Sequence, residues 1–244
     1  MIYFIGAGPG AVDLITVRGA EILRRSGMII FAGSLVNPEL VRKYARPNCE
    51  IYDSAFMTLD EIMKILINGH KRGLIVSRLH SGDPSLFGAI NEQMNILRSK
   101  NINFEIIPGV SSLFAAAAAL KTEYTIPEIS QTLVISRKEG RTPVPDNKSL
   151  VFFLSAGMIK SLCDDLISQG YEESTPAALV YKASWPEESI IIGNLANLPE
   201  LVKITGLNKS ALILVGDFLK DARTRSRLYD KNFSHGFRNN SGLH

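Results

Sequence analysis

Two short segments of this chain combine residue types and spacing that could do chemistry. Residues 81–84 read Ser-Gly-Asp-Pro and come shortly after the apolar run 74–76, which predicts a buried parallel strand. Gly82 permits a positive φ or close backbone approach, and the Asp83–Pro84 step is a turn signal that frees the aspartate from the strand. Open α/β sheets bind ligands at the carboxyl ends of their strands. The segment is therefore a ligand contact or a simple helix-capping turn.

The second segment is glycine-rich: residues 6–10 read Gly-Ala-Gly-Pro-Gly directly after the apolar strand 2–5. A dinucleotide-binding loop would be followed about 20 residues later by a carboxylate that holds the ribose. The second predicted strand, 28–31, is followed instead by Ala-Gly-Ser, and Pro9 removes a backbone donor from the loop. This pattern disfavours a nucleotide-dependent oxidoreductase and favours a loop whose backbone lies close to a bulky, flat or apolar ligand.

The other common catalytic patterns do not occur in the sequence. There is no P-loop, no GxSxG or HExxH motif, and no His/Cys spacing suited to zinc, so we predict no protein-bound metal. Of the four histidines, only His80 lies in a predicted ligand-binding region. A lone histidine is either a hydrogen-bonded structural residue or a proton acceptor, and both interpretations stay open here.

The elements that must position these segments alternate between strands and helices through the first half of the chain. Strands are predicted over 2–5, 28–31, 74–76 and 104–107, and helix starts are indicated by Thr16, by Asn37–Pro38 and by a capping box at Thr58. Ser111 and Ser112 can cap the alanine-rich helix that ends near residue 120. The alternation predicts a mainly parallel sheet with helices on both faces.

The second half predicts a separate α/β domain with a mixed sheet. Strands are expected over 132–135, 151–154, 178–181, 189–192 and 211–215. The connection between 181 and 189 is too short for a crossover helix, so those two strands should be antiparallel. The resulting domains are 1–120, a linker 121–130, a second domain 131–220 and a basic, flexible tail 221–244.

Composition excludes several classes of function. The chain has 244 residues, of which 45% are hydrophobic and 21% charged, and its net charge of +3 resides in the tail. A basic tail of this kind is typical of a solvated chain end, so we expect no nucleic-acid binding. The longest apolar run, residues 113–120, is too short to span a membrane, and no leader pattern opens the sequence. Two distant cysteines without a CxxC pattern predict a cytoplasmic location.

Taken together, the segments resemble the tetrapyrrole (corrin/porphyrin) methylase family over residues 1–218. The resemblance rests on the loop 6–10, on 81–84, and on Pro-Gly-Val-Ser-Ser at 108–112. It implies two α/β domains with S-adenosylmethionine in a cleft between them. Segments 31–36, 78–83, 111–118 and 183–186 look like the branch that methylates precorrin-4 at C-11. Segments 82–88 and 141–145 look more like the cobalt-precorrin-4 enzymes of the anaerobic cobalamin route.

The resemblance also implies which residues contact the cofactor and which reside near the substrate. The implied cofactor residues are Pro9, Ser81, Gly82, Asp83, Leu86, Ser111, Ser112, Leu154, Ala183 and Ala211. The start of the helix at Ser111 and Ser112 suits a carboxylate on physical grounds as well. Candidates for binding the acetate and propionate arms of the substrate, because they follow strand ends or lie in the polar loop, are Arg78, Arg137, Lys138, Arg141 and Lys182.

The missing catalytic constellation fits this chemistry. A sulfonium is already a strong electrophile and a reduced tetrapyrrole carbon is electron-rich, so methyl transfer needs orientation in a dry, shaped site. If a base balances protons afterwards, His80 and Asp83 are the available catalytic candidates. Any cobalt should be inside the substrate. The family resemblance further suggests a homodimer.

Alternatives remain open at this point. They are the same reaction on metal-free precorrin-4, methylation at another position of a precorrin or uroporphyrinogen ring, the disfavoured oxidoreductase, and a non-catalytic binding protein.

Overall fold

A computed structural model describes residues 1–137, 148–207 and 209–220, and these residues form two units. The first unit consists of Met1–Ala119 together with the short segment Lys182–Ser189. The second consists of Leu120–Tyr181 and the described residues from Ile190 onward. The predicted tail 221–244 and most of the polar loop 138–148 lie outside the described residues.

The first unit is built on a five-stranded parallel sheet, as predicted. Its strand order is β3-β2-β4-β1-β5, and every pairing of neighbours is parallel. The strands are β1 (Ile2–Gly6), β2 (Met28–Phe31), β3 (Glu50–Asp53), β4 (Val76–His80) and β5 (Phe104–Ile107). Strand β3 was not predicted, because this edge strand alternates between exposed and half-buried residues instead of forming an apolar run.

Five helices accompany this sheet, and four begin at the predicted caps, the last of them capped by Ser111. They are α1 (Val17–Arg25), α2 (Pro38–Tyr44), α3 (Leu59–Lys71), α4 (Asn91–Ser99) and α5 (Ser112–Leu120). The Thr16 side chain accepts from Gly19 N, Asn37 Oδ1 accepts from Glu39 N, and Thr58 forms the capping box with Glu61. Each cap satisfies backbone donors that a helix start leaves unpaired.

Alternate residues along the strands face two different cores. Helices α1 and α2 pack on the face that carries Ile5, Ile29 and Leu79. Helices α3 and α4 pack on the other face, which carries Phe4 and Ile30. The chain therefore leaves β1 and β2 toward one face and β3 and β4 toward the other, and neighbouring strands whose connections diverge open crevices at their carboxyl ends.

Strand β4 corrects one sequence-based expectation. The strand was expected to end at residue 76, but it continues to His80, so Ser77, Arg78 and His80 are strand residues and all are buried. Ser77 can be buried because its hydroxyl hydrogen-bonds the Ser26 hydroxyl at 2.6 Å, and Arg78 donates to Ser54. A polar strand end inside the protein does not show the apolar run on which the prediction depended.

The second unit contains a mixed sheet, as predicted, with the order β6-β7-β10-β8-β9. Strands β6 and β7 are parallel, and β10 is antiparallel to both of its neighbours. Leu195 N donates to Thr175 O, which places the end of β9 beside the start of β8 in the predicted antiparallel arrangement. The elements are β6 (Leu133–Arg137), β7 (Ser149–Phe153), α6 (Ile159–Ser168), β8 (Pro176–Tyr181), β9 (Ser189–Asn194), α7 (Leu198–Thr205) and β10 (Ala211–Val215).

The segment 121–130, predicted as a linker, has no helix or strand but packs within the second unit. The Tyr124 ring lies 5.2 Å from the Phe218 ring, and the Thr122 hydroxyl donates to Phe218 O. In the part of the chain that the structure describes, no helix is long and apolar enough to cross a membrane.

Candidate functional site

Backbone hydrogen bonds join the loops that follow β1 and β4. Gly8 N donates to Gly82 O at 3.2 Å, and Gly82 N donates to Gly8 O at 2.8 Å. Ala7 N donates to His80 O at 2.8 Å, so the two loops continue the sheet beyond its strands. Both Gly8 and Gly82 have positive φ values, +80° and +63°, which glycine adopts at little cost.

Three glycines, Gly6, Gly82 and Gly109, bring the ends of β1, β4 and β5 into direct backbone contact. We call this group the glycine cradle. A Cβ atom at Gly109 would lie 2.1 Å from Gly82 O and 2.6 Å from Gly6 Cα. A Cβ atom at Gly6 would lie 2.5 Å from Gly109 Cα. No side chain fits at Gly6 or Gly109, and the positive φ of +63° at Gly82 favours glycine there as well.

Asp83 connects the loop after β4 to the loop after β5. Its Oδ2 accepts from Gly109 N at 2.8 Å, and its Oδ1 accepts from Ser85 N at 2.8 Å and from the Ser85 hydroxyl. Burial raises the pKa of this carboxyl, but the hydrogen bonds from Ser85 and Gly109 outweigh it and lower the pKa below its ordinary value. Asp83 is therefore ionised and holds the two loops together, and both of its carboxylate oxygens already accept hydrogen bonds.

Two further predicted cofactor residues start helix α5 beside the cradle. Ser111 is buried, and its hydroxyl accepts from Leu113 N at 3.3 Å. A Cβ atom at Gly82 would lie 3.3 Å from Ser111 Cα, so the helix start reaches the cradle. Because the first N–H groups of a helix lack partners within it, Ser111 and Ser112 occupy a position suited to an anionic group. The predicted residues Ser81 and Leu86 are half-buried in the loop after β4.

Pro9 is covered by the segment Lys182–Ser189, which sequence reasoning did not place here. Trp185 Nε1 donates to Pro9 O at 2.9 Å, and Ala11 N donates to the Ser184 hydroxyl at 3.0 Å. The indole lies against Gly10, where a Cβ atom would be 1.9 Å from Trp185 Cδ1. The sequence contains a single tryptophan, which could have drawn attention to this segment. Its contact with Pro9 could not be predicted, because the two residues lie 176 positions apart in the chain.

The same segment contains two predicted site residues. Ala183 is buried, as an adenosine-pocket wall would be. Lys182 Nζ lies 3.6 Å from a Glu187 oxygen and 4.9 Å from the centre of the Trp185 ring. The ammonium group thus already has a carboxylate nearby, which lowers its value as a receptor for a substrate carboxylate.

His80 ends strand β4 in a dry environment. Its ring centre lies 5.9 Å from that of Phe4, the ring hydrogen-bonds the Gly88 backbone, and Nε2 is buried with no partner among the described residues. Burial, with the charge of Arg78, lowers the pKa of His80 from 6.5 to about 3. The imidazole is neutral at pH 7 and is a weak base there.

Arg78 was expected to follow a strand end, and this expectation is wrong because the residue lies inside β4. Its side chain is buried with the guanidinium Nη1 donating to the Ser54 hydroxyl at 2.8 Å. Burial lowers the pKa of Arg78 to about 10, so the group stays charged at pH 7.

In the second unit, one edge of the sheet brings predicted residues together. Ala211 is paired with Tyr181, at the end of β8, and Ile213 is paired with Phe152. Leu154, the residue after β7, therefore lies at the edge where β10 begins, and Arg137 ends β6 there beside Phe153. Leu154 is 56% exposed at φ 54°, an unusual conformation for an apolar residue. Lys138 and Arg141 lie outside the described residues.

The first unit therefore defines an α/β protein whose candidate site is lined by backbone at the carboxyl edge of a parallel sheet. A family model described as Tetrapyrrole (Corrin/Porphyrin) Methylases matches residues 1–199. The chain belongs to this family, as the sequence analysis predicted.

Individual relatives agree with this assignment. The chain is 47% identical to a cobalt-precorrin-4 C(11)-methyltransferase of Methanocaldococcus jannaschii, over 97% of this chain and 95% of the relative. It is 38% identical to a precorrin-4 C(11)-methyltransferase of Pseudomonas aeruginosa, over 97% of this chain and 98% of that one. The crystal structure of a cobalt precorrin-4 methyltransferase matches with a TM-score of 0.84 at 40% identity, covering 89% of this chain and 95% of that one.

Proposed function

We propose that this protein is an S-adenosylmethionine-dependent methyltransferase of cobalamin biosynthesis that methylates cobalt-precorrin-4 at C-11 to give cobalt-precorrin-5A. The observation that carries the proposal is the glycine cradle, in which backbone atoms of three loops meet with no room for a side chain. Together with the 47% identity to a cobalt-precorrin-4 methyltransferase, it favours this reaction over an oxidoreductase or a binding protein.

The residues around the cradle fit the proposed cofactor. Ser111 and Ser112, at the start of α5, would hold its carboxylate. The backbone of residues 81–83 and Pro9 would border its methionine part, with Leu86 as an apolar wall. Ala183, Leu154 and Ala211 would line its adenosine. When bound, the cofactor supplies a methyl group on a sulfonium, which is already a strong electrophile.

The protein's own residues then orient the reactants and exclude water. Asp83 fixes the cradle by clamping Gly109, and Trp185 fixes Pro9 through a hydrogen bond. His80, buried at the end of β4, is neutral and adds no positive charge beside the cradle. Such preorganisation is the main contribution a protein can make when both reactants are intrinsically reactive. We do not assign His80 or Asp83 as the base, because the first has a low pKa and the second has partners on both oxygens.

A binding experiment tests the class of enzyme. In calorimetry, the purified protein should bind S-adenosylhomocysteine and should not bind NAD. Binding of NAD without S-adenosylhomocysteine would refute the proposal and favour the oxidoreductase.

A turnover experiment tests the substrate. With methyl-labelled S-adenosylmethionine, cobalt-precorrin-4 should become labelled faster than metal-free precorrin-4. The metal-free compound is the second candidate substrate because the 38% identical Pseudomonas relative carries its name. A preference for metal-free precorrin-4 would instead assign the protein to the aerobic route.

Homodimerisation and a cytoplasmic location are part of the same proposal. Both described cysteines, Cys49 and Cys163, are free thiols, which suits a reducing compartment. Light scattering should give twice the 26.8 kDa chain mass, and cell fractionation should recover the protein with the cytosol. A monomer mass would contradict only the proposed homodimer. Recovery with the membrane fraction would contradict only the proposed location.

A further inference from the structure

The end of β2 lies at the carboxyl edge of the first sheet, next to β3 and β4 and outside the glycine cradle. The chain leaves β2 toward the face of α2, whereas it leaves β3 and β4 toward the face of α3 and α4. The end of β2 therefore lies between two connections that diverge from it, which is where open sheets bind ligands. Three residues in or after the strands that neighbour β2 have features that the cofactor does not explain: Phe56 follows β3, Phe87 follows β4 and Arg78 lies within β4.

Phe56 is 99% exposed although its loop is held firmly. Ser54 N donates to Phe31 O at 2.7 Å, and Met57 N donates to Ser54 O at 3.1 Å. Asp53 Oδ1 accepts from Ala55 N at 2.9 Å. A bonded turn thus holds an aromatic ring in water, where its apolar surface gains nothing until a ligand covers it.

Phe87 presents a second aromatic ring from the loop after β4. It is 42% exposed, and its φ of 55° lies in the left-handed region that side chains with a Cβ rarely adopt. Such strain persists where the surrounding structure enforces it and is concentrated at binding sites. We call Phe56 and Phe87 the aromatic rim.

Arg78, on strand β4 beside β2, carries a buried positive charge. It is 7% exposed, and its Nε has no hydrogen-bond partner anywhere in the described ranges. Nη1 donates to the hydroxyl of Ser54, in the loop that carries Phe56. Within residues 1–137, 148–207 and 209–220 no carboxylate is paired with this guanidinium. A buried charge without a counter-ion is costly, and an incoming carboxylate would remove that cost.

We propose that Arg78 and the aromatic rim form a substrate subsite, in which Phe56 and Phe87 contact the apolar face of the tetrapyrrole and Arg78 binds one of its carboxylate arms. The ligand chemistry follows from the residues: two aromatic surfaces beside a guanidinium match a flat apolar ring system with acidic arms. The proposal rests on the function proposed above and assigns the specificity-determining side chains for its substrate.

The test compares substrate binding with cofactor binding in Phe56→Ala, Phe87→Ala and Arg78→Gln. Each variant should raise the KM for the tetrapyrrole, and its Kd in the S-adenosylhomocysteine complex, by about tenfold. The Kd for S-adenosylhomocysteine should stay at the wild-type value. Quenching of the fluorescence of Trp185, the single tryptophan, reports tetrapyrrole binding without turnover. Ile51→Ala, which truncates a half-exposed residue on β3 away from its carboxyl end, is the control and should change none of these constants.

Two results would overturn the subsite. One is that both phenylalanine variants keep the wild-type KM and Kd for the tetrapyrrole. Because the two side chains are exposed, these variants should fold normally. The other is a parallel loss of S-adenosylhomocysteine affinity, which would indicate a structural role. Failure of the proposed function looks different: the wild-type protein itself would bind or methylate no tetrapyrrole.

Discussion

Two parts of the same sheet edge are built in opposite ways. The glycine cradle, at the ends of β1, β4 and β5, uses backbone atoms and tolerates no side chain. The other part, next to the end of β2, consists of the aromatic rim and the side chain of Arg78. A backbone surface cannot be varied by substitution, whereas a side-chain surface can. This division suits the proposed function, in which the backbone holds the cofactor and side chains select the ring substrate.

The largest expected effect comes from breaking the cradle with Gly109→Ala. The new methyl group would meet backbone atoms of both Gly82 and Gly6, which cannot move without separating β1 from its neighbours. We expect a loss of about 3 kcal/mol in the free energy of unfolding and no detectable S-adenosylhomocysteine binding. Urea unfolding and calorimetry measure the two quantities.

The matched control is Gly73→Ala, where φ is +74° but no atom lies within 4 Å of the new Cβ. This variant bears only the conformational cost of roughly 1–2 kcal/mol and should keep its cofactor affinity. Equal losses in the two variants would show that crowding in the cradle is unimportant.

A smaller effect is expected when the clamp of the cradle is weakened by Asp83→Asn. The amide keeps the shape but loses the charged acceptor for Gly109 N and Ser85 N, so S-adenosylhomocysteine should bind about tenfold more weakly. Asp53→Asn is the control from the other part of the edge, because Asp53 likewise accepts from Gly33 N and Ala55 N. If Asp53→Asn weakens cofactor binding as much, the two parts of the edge are not independent.

An effect confined to acid pH is expected at His80, which ends β4 between the two parts. Since its folded pKa of about 3 is below the ordinary 6.5, its contribution to stability is complete above pH 6.5 and is lost as the pH falls toward 3. The slope is at most about 1.4 kcal/mol per pH unit. His80→Asn should flatten the dependence of Tm on pH between 6.5 and 4.5. An unchanged slope would mean that His80 is not held neutral by burial.

Local signals in the sequence predicted a large part of the fold. Strands β2, β5 and β10 have the predicted bounds, and the caps at Thr16, Asn37 and Thr58 form as expected, because each depends on residues close together in the chain. The family resemblance grouped the loops after β1, β4 and β5, and in the structure these three loops meet.

Features that depend on distant partners could not be predicted. Asp83 was expected to contact the cofactor, and its hydrogen bond from Gly109 N, 26 residues away, gave no signal in the sequence. Arg78 was expected to follow a strand end, but it lies inside β4, which was predicted to end earlier, and it donates to Ser54. Phe56 gave no sequence signal, because exposure depends on the turn that orients it.

The contact between Trp185 and Pro9 has a consequence for biosynthesis. The segment Lys182–Ser189 belongs to the first unit although the whole stretch 120–181 separates it from the rest. During translation the glycine loop therefore emerges long before the indole that covers it, and the first unit cannot be completed until residue 189 has left the ribosome. A fragment ending at Ala119 would leave the Pro9 carbonyl without its donor and Gly10 uncovered. The two parts of the first unit thus lie together in the folded protein but are synthesised at different times.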